Sequence, residues 1–172
     1  FEELPQLLNP ESGFIQNCNN TPYFTTDGIN PTFDINDSYY SGIESTITNR
    51  AIRSMNLFSA NNSLTYDNFK EIKFDLQYSK DSYMAEYVNR TKQLILESND
   101  KNLSEAYEVL DNWDLSTDKN NLYAALPIIS FGQYVDSNPD VITDNMLINN
   151  LKKSMKFLKK KYGSLKGLWG DI

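Results

Sequence analysis

The spacing of apolar residues changes character near residue 44. Before it, prolines at 5, 10, 22 and 31 and glycines at 13, 28 and 42 cut the chain into short pieces with scattered aromatics and no sustained helical period. Beyond it, apolar positions recur every three or four residues, the mark of amphipathic helices. STITNRAIRSMNLF carries Ile47, Ala51, Met55 and Phe58 on one stripe. LTYDNFKEIKFDLQYS repeats the pattern with Phe69, Ile72 and Leu76, behind Thr65 as an N-cap. In DSYMAEYVNRTKQLILES, Met84, Val88, Thr91 and Ile95 align, with Asp81 or Ser82 as the cap. A fourth helix opens on Ser104 in LSEAYEVLDNW and closes around Trp113. A fifth is expected within DKNNLYAALPIISFGQYV, kinked or interrupted at Pro127, and a sixth runs from a Thr143 cap to Gly163.

The pattern therefore predicts a mainly α fold, with residues 1–43 as an extended segment and 44–172 as a helical subdomain. GFIQNCN alternates weakly and is short enough for one strand, yet no second convincing strand follows it. Its neighbours are expected to lie outside these 172 residues.

Composition narrows the function classes. A 40% hydrophobic chain of 172 residues can bury the core of one ordinary domain. No apolar run reaches about eighteen residues, and FEELPQLLNP lacks a basic stretch followed by an apolar one, so neither a membrane span nor a signal peptide is expected. Sixteen basic against 23 acidic side chains give a net charge of -7, which argues against nucleic acid as a partner. The exception is local: Lys152, Lys153, Lys156, Lys159, Lys160 and Lys161 crowd the end of the sixth helix. A solvated face that complements the helix dipole is one reading, and a basic docking patch the other. With no His at all and one Cys, the chain has neither an imidazole base nor an intramolecular disulfide, and zinc sites are excluded. Any chemistry must use another base.

Most short motifs fail on inspection. Ser98 to Lys101 fits Ser-x-x-Lys but lacks the companion Lys-Thr-Gly and Ser-Asp-Asn elements. DINDSY begins like a calcium loop with Asp34, Asn36 and Ser38, but Tyr40 stands where Gly is needed and Ser45 where Glu is needed. Sequons at Asn61, Asn89 and Asn102 matter only in a secreted eukaryotic chain. Trp113 beside Asp114 has the form of a sugar contact, although packing at a helix end explains it as well. No glycine-rich phosphate loop occurs.

The segment NPESGFIQNCNNTP stands apart, with four Asn and a Gln in fourteen residues. Amides donate hydrogen bonds without ionising, so such a cluster builds a turn, a polar binding surface, or a donor for developing negative charge. Read with its flanks, it resembles a β-chain segment of the penicillin amidase family, which includes penicillin acylases, aculeacin acylases and acyl-homoserine-lactone acylases. The resemblance is carried by Asn-Pro-x-Ser-Gly, an aromatic, Ile and Gln, and then Asn17, Cys18, Asn19, Asn20, Thr21 and Pro22. TNRAIRSMNLF is similar to an arginine-bearing helix of those enzymes, VLDNWDLSTDKNNLYAALPIISF to a Trp-Asp stretch with its following helix, and GLWGDI to a Trp-Gly-Asp/Glu segment.

The resemblance implies an N-terminal nucleophile hydrolase of αββα architecture. There a serine exposed by autoproteolysis attacks an amide, with its own α-amine as base and no His required. It places Asn19 on the oxyanion-hole Asn and Arg50 on an active-site Arg, with Cys18 packing beside the site. The chemistry of Asn19 alone also fits a structural turn, and Arg50 equally fits a surface ion pair, with Arg53 close by. Phe1 is not a nucleophile and the strands of a two-sheet core are missing, so the chain is expected to be an internal fragment, inactive alone. Its partners would be the remaining α- and β-chain segments and a small acylated amide substrate. No cofactor is expected, although the resemblance allows a structural calcium ion in the parent, and it implies a periplasmic or secreted bacterial location. The alternative function is a helical, Asn- and Tyr-rich glycan-binding or interaction module without catalysis, which needs Trp113 and several Tyr exposed together.

Overall fold

The computed structural model describes residues 7–28 and 46–172. The chain divides into two compact units, Phe1–Asp75 and Leu76–Ile172. Among the described residues there are six α-helices and no strand, and a single isolated bridge pairs Gln77 with Ser116. The mainly helical class read from the periodicity is the class that forms. No helix among the described residues is long and apolar enough to cross a membrane.

The second unit is a helical cluster of four. Helix α3 (Tyr83–Ser98) is capped by Ser82, whose hydroxyl accepts from the Ala85 N–H, and it buries Met84, Val88, Thr91 and Ile95, the stripe expected from spacing. Helix α4 (Ser104–Asn112) buries Ala106, Val109 and Leu110. Helix α5 (Ala125–Phe131) lies inside the cluster, in contact with α3, α4 and α6, and Phe131 is completely buried. Helix α6 (Asp144–Tyr162) starts on the Thr143 cap and stops at Gly163, whose φ of 74° is left-handed backbone that favours glycine. Polar ties hold the cluster: the Arg90 guanidinium donates to Asp144 at 2.6 Å and to the Ile142 carbonyl at 2.9 Å, and the Tyr87 hydroxyl donates to the Ser137 carbonyl at 2.9 Å.

Two expectations are corrected here. The fifth helix is shorter than its periodic stretch, because Asp118 and Asn121 turn their side-chain oxygens onto the N–H groups of Asn120 and Tyr123. Such local bonds compete with helix, so α5 begins only at Ala125. Pro127 then falls in the first turn, where an N–H has no intrahelical partner anyway, and it neither kinks nor interrupts the helix. The C-terminal GLWGD segment runs beside this turn region, with the Gly170 N–H donating to the Lys119 carbonyl at 2.8 Å. A Cβ at Gly170 would stand 3.0 Å from that of Lys119, a tight approach in which Lys119 would have to give by a few tenths of an ångström.

The first unit holds α1 (Asn49–Ser59), capped by Thr48, and α2 (Tyr66–Lys73), where Thr65 and Asn68 form a reciprocal capping box. Helix α2 buries no residue. Phe58 of α1 contacts Phe69 of α2 at 6.5 Å between ring centroids and stacks on Phe14 of the N-terminal loop at 5.4 Å.

Candidate functional site

The amide-rich loop is built from turns upward. The Gly13 N–H closes a turn onto the Pro10 carbonyl at 2.9 Å, with Gly13 at φ 76°. The hydroxyls of Ser12 and Thr26 hydrogen-bond each other, and Thr26 also donates to the Phe14 carbonyl at 2.9 Å. The Gln16 N–H donates to the Thr25 carbonyl at 2.8 Å. This is the one ladder-like bond of GFIQNCN, so the single strand that its alternation suggested does not form among the described residues. The alternation also misleads about burial, because Ile15 is 60% exposed while Gln16 is 6% exposed.

Residues 17–24 form the closed end of this loop, and the amides there divide their work. Asn17 accepts from the Asn19 N–H at 2.9 Å through its side-chain oxygen. Asn20 accepts from the Cys18 N–H at 2.8 Å and donates to the carbonyls of Thr21 at 2.9 Å and Phe24 at 3.2 Å. Gln16 donates through Nε2 to the same Phe24 carbonyl. Asn19 differs: it is exposed, sits at a left-handed φ of 59°, and its side chain makes no hydrogen bond with a described residue. Asn is one of the few residue types that tolerate this backbone region. Of the three Asn in the core motif, it is the one whose side chain is uncommitted. A free carboxamide at the tip of a hydrogen-bonded loop can donate to an oxyanion, or to any acceptor brought to it.

The two arginines of α1 separate cleanly. Arg53 makes a forked pair with Asp75, Nε to Oδ2 at 2.8 Å and Nη2 to Oδ1 at 2.6 Å, and the hydrogen bond to Asp75 raises its pKa. Arg50 is exposed in the first turn and forms no ion pair with a described residue. The structural ion pair therefore belongs to Arg53, which leaves the guanidinium of Arg50 available. No hydrogen bond joins Asn19 to Arg50. The loop is fastened to the other end of α1, through Phe14 on Phe58 and through Ser59 donating to Asp27 at 2.7 Å. Arg50 lies roughly 12 Å along the helix axis from the Phe58 contact at the usual rise per residue. Beside that fastening, Asp27, Ile47, Ile52, Met55, Asn56 and Ser59 line an open hollow of about 230 Å³.

The remaining candidates resolve differently. Cys18 is a half-buried free thiol whose N–H is held by Asn20. Trp113 is buried, donates from its indole N–H to the Ser116 carbonyl at 2.8 Å, and meets the edge of Tyr78 at 5.9 Å. It closes the end of α4 and offers no face to a sugar. Ser98 donates back to the Ile95 carbonyl at 2.9 Å as a helix-end residue. The calcium-like Asp34, Asn36 and Ser38 lie outside the described residues. Among the described residues no cluster of three His, Cys, Asp or Glu side chains is placed to hold a metal. Sequence reasoning missed Gln16, Asn20 and the Phe24 carbonyl as the groups that shape the loop. A backbone carbonyl leaves no signal in a sequence.

The sequence model of the penicillin amidase family matches residues 1–167, so the chain belongs to that family. No curated protein matches it. Membership makes this part of an acylase-type hydrolase family.

Proposed function

We propose that the chain forms one side of the active site of an amidohydrolase that cleaves acylated small molecules of penicillin, N-acyl-homoserine lactone or lipopeptide type. In this reading the nucleophile is the hydroxyl of an N-terminal serine carried by another segment of the protein, activated by its own α-amine. Asn19 donates its side-chain amide to the oxygen of the tetrahedral intermediate. Arg50 supplies positive charge near the site, and the remaining α- and β-chain segments complete an αββα core in the periplasm or outside the cell. The supporting observation is the exposed, uncommitted Asn19 amide in a core motif whose other two Asn amides, Asn17 and Asn20, are engaged, in a chain of this family. A neutral amide keeps its donor at every working pH. It also gains most when charge develops on the acceptor, which favours the transition state over the substrate.

The test is Asn19→Ala in the processed, full-length protein. Turnover should fall by roughly 10² to 10³, with KM changed little, because the lost bond forms fully only in the transition state. Asn20→Ala should cost much less. Maturation is checked first by the mass of the processed chains, since failure to expose the nucleophile mimics a catalytic defect. A folded, processed Asn19→Ala protein with normal turnover would remove Asn19 from the mechanism.

A further inference from the structure

We propose that Gln16 and Asn20 are positioning residues that hold Asn19 through one shared acceptor, the carbonyl of Phe24. This rests on the reading of Asn19 as the oxyanion donor. Gln16 is 6% exposed while its neighbour Ile15 is 60% exposed, so the loop buries an amide and leaves an alkyl side chain in water. The side-chain oxygen of Gln16 is buried with no hydrogen-bond partner among the described residues, a condition that normally costs stability. A Met of similar size would fill the space without that cost. What Gln supplies and Met cannot is the Nε2 donor to the Phe24 carbonyl.

That carbonyl also accepts from Asn20 Nδ2 at 3.2 Å, and the oxygen of the same Asn20 amide holds the Cys18 N–H at 2.8 Å. The residues before and after Asn19 are thus tied to one point across the loop. The Asn19 N–H is itself held by Asn17. Asn tolerates a φ of 59°, so it is the bonds on either side of Asn19, rather than the backbone region itself, that hold it in place. Catalysis by a fixed donor depends on placement, and a displacement of about 1 Å can cost as much as two orders of magnitude. Loosening the clamp therefore lowers turnover without touching the substrate.

A double-mutant comparison tests this in the processed, full-length protein with a chromogenic N-acyl anilide as substrate. Gln16→Met and Asn20→Ala should each lower kcat about tenfold with KM nearly unchanged, and each should add almost nothing to the defect of Asn19→Ala. Gln16→Glu gives a second readout. Its protonated carboxyl can donate to the Phe24 carbonyl and its ionised form repels it, so turnover relative to wild type should climb as the pH falls from about 8 to 5. If Gln16→Met does not fold, Asn20→Ala and the Gln16→Glu profile carry the same test. Losses that multiply in full on the Asn19→Ala background, or wild-type kcat in Gln16→Met, overturn the clamp alone. Full turnover in processed Asn19→Ala overturns the oxyanion reading, and the clamp's catalytic role with it.

Discussion

In Leu76–Ile172 the burial of side chains and the placement of helices are the same event, whereas in the described part of Phe1–Asp75 they are nearly unrelated. Among the described residues, every buried apolar side chain except Ala51 belongs to the second unit. The first leaves Leu8, Ile15, Tyr66 and Phe74 mostly in water, and its amide loop buries Gln16, Thr21 and Thr26 instead. Apolar burial is non-directional and tolerates small shifts; hydrogen bonds are directional and fix atoms. A scaffold needs the first kind of force, and a donor that must meet one oxygen atom needs the second. The contrast fits a chain in which one unit supplies stability and the other supplies a positioned polar group.

The largest expected effect asks whether that contrast is energetic as well as geometric. Phe131→Ala empties a fully buried site among α5 and its neighbours and should lower the unfolding free energy by about 3 to 5 kcal/mol. Phe69→Ala removes a ring that is 48% exposed and should cost less than about 1 kcal/mol. Urea titrations followed by circular dichroism would measure both. Equal losses would mean that the first unit hides a core of comparable weight.

A smaller effect follows from Tyr87, whose pKa burial pushes up to about 12, with the nearby Glu86 carboxylate adding to it. Because the neutral phenol is the form favoured by folding, its contribution is fully present below the unfolded value near pH 10 and is lost as the pH rises through about 12. Stability should therefore fall by up to about 1.4 kcal/mol per pH unit across that window. Tyr87→Phe should flatten the alkaline limb, leaving the weaker slope from Tyr78, whose phenol is also raised by burial and by Asp136. An unchanged slope in Tyr87→Phe would show that the phenol ionises as easily in the folded chain as in the unfolded one.

The same contrast explains what the sequence made legible. Caps at Thr65 and Thr143 and the stop at Gly163 were readable because each depends on a few adjacent residues, and the choice of Ser82 over Asp81 is made only by the structure. The α3 stripe was readable because burial on one face imposes a period. The start of α5 was not, since the choice between helix and turn at Asp118 to Asn121 hangs on which backbone groups their side chains reach. In the loop, the motif led to Asn19 and chemistry supplied a role for it. Nothing in the order of letters said that Gln16 would be buried and Ile15 exposed, because that inversion is set by a carbonyl eight residues further on. Arg50 and Arg53 were equivalent as letters, and Asp75, 22 residues beyond Arg53, tells them apart.

The smallest expected effect compares two caps of the same chemistry. Thr143 accepts from the Met146 N–H at the start of a helix with five buried residues, and Thr65 accepts from the Asn68 N–H at the start of one with none. Losing such a cap costs about 1 kcal/mol wherever it sits, but where that loss is felt depends on what the helix is coupled to. In Thr143→Ala the frayed turn belongs to α6, whose Leu147 and Leu151 sit in the core, so the global unfolding midpoint should drop. In Thr65→Ala the midpoint should stay within error. Amide exchange over Tyr66–Lys73 should instead quicken by roughly five- to tenfold, because α2 can open without disturbing buried surface. Exchange measured residue by residue distinguishes the cases. A lowered midpoint in Thr65→Ala would show that α2 unfolds together with the rest of the chain, and the sparse unit would then be part of the same cooperative structure as the dense one.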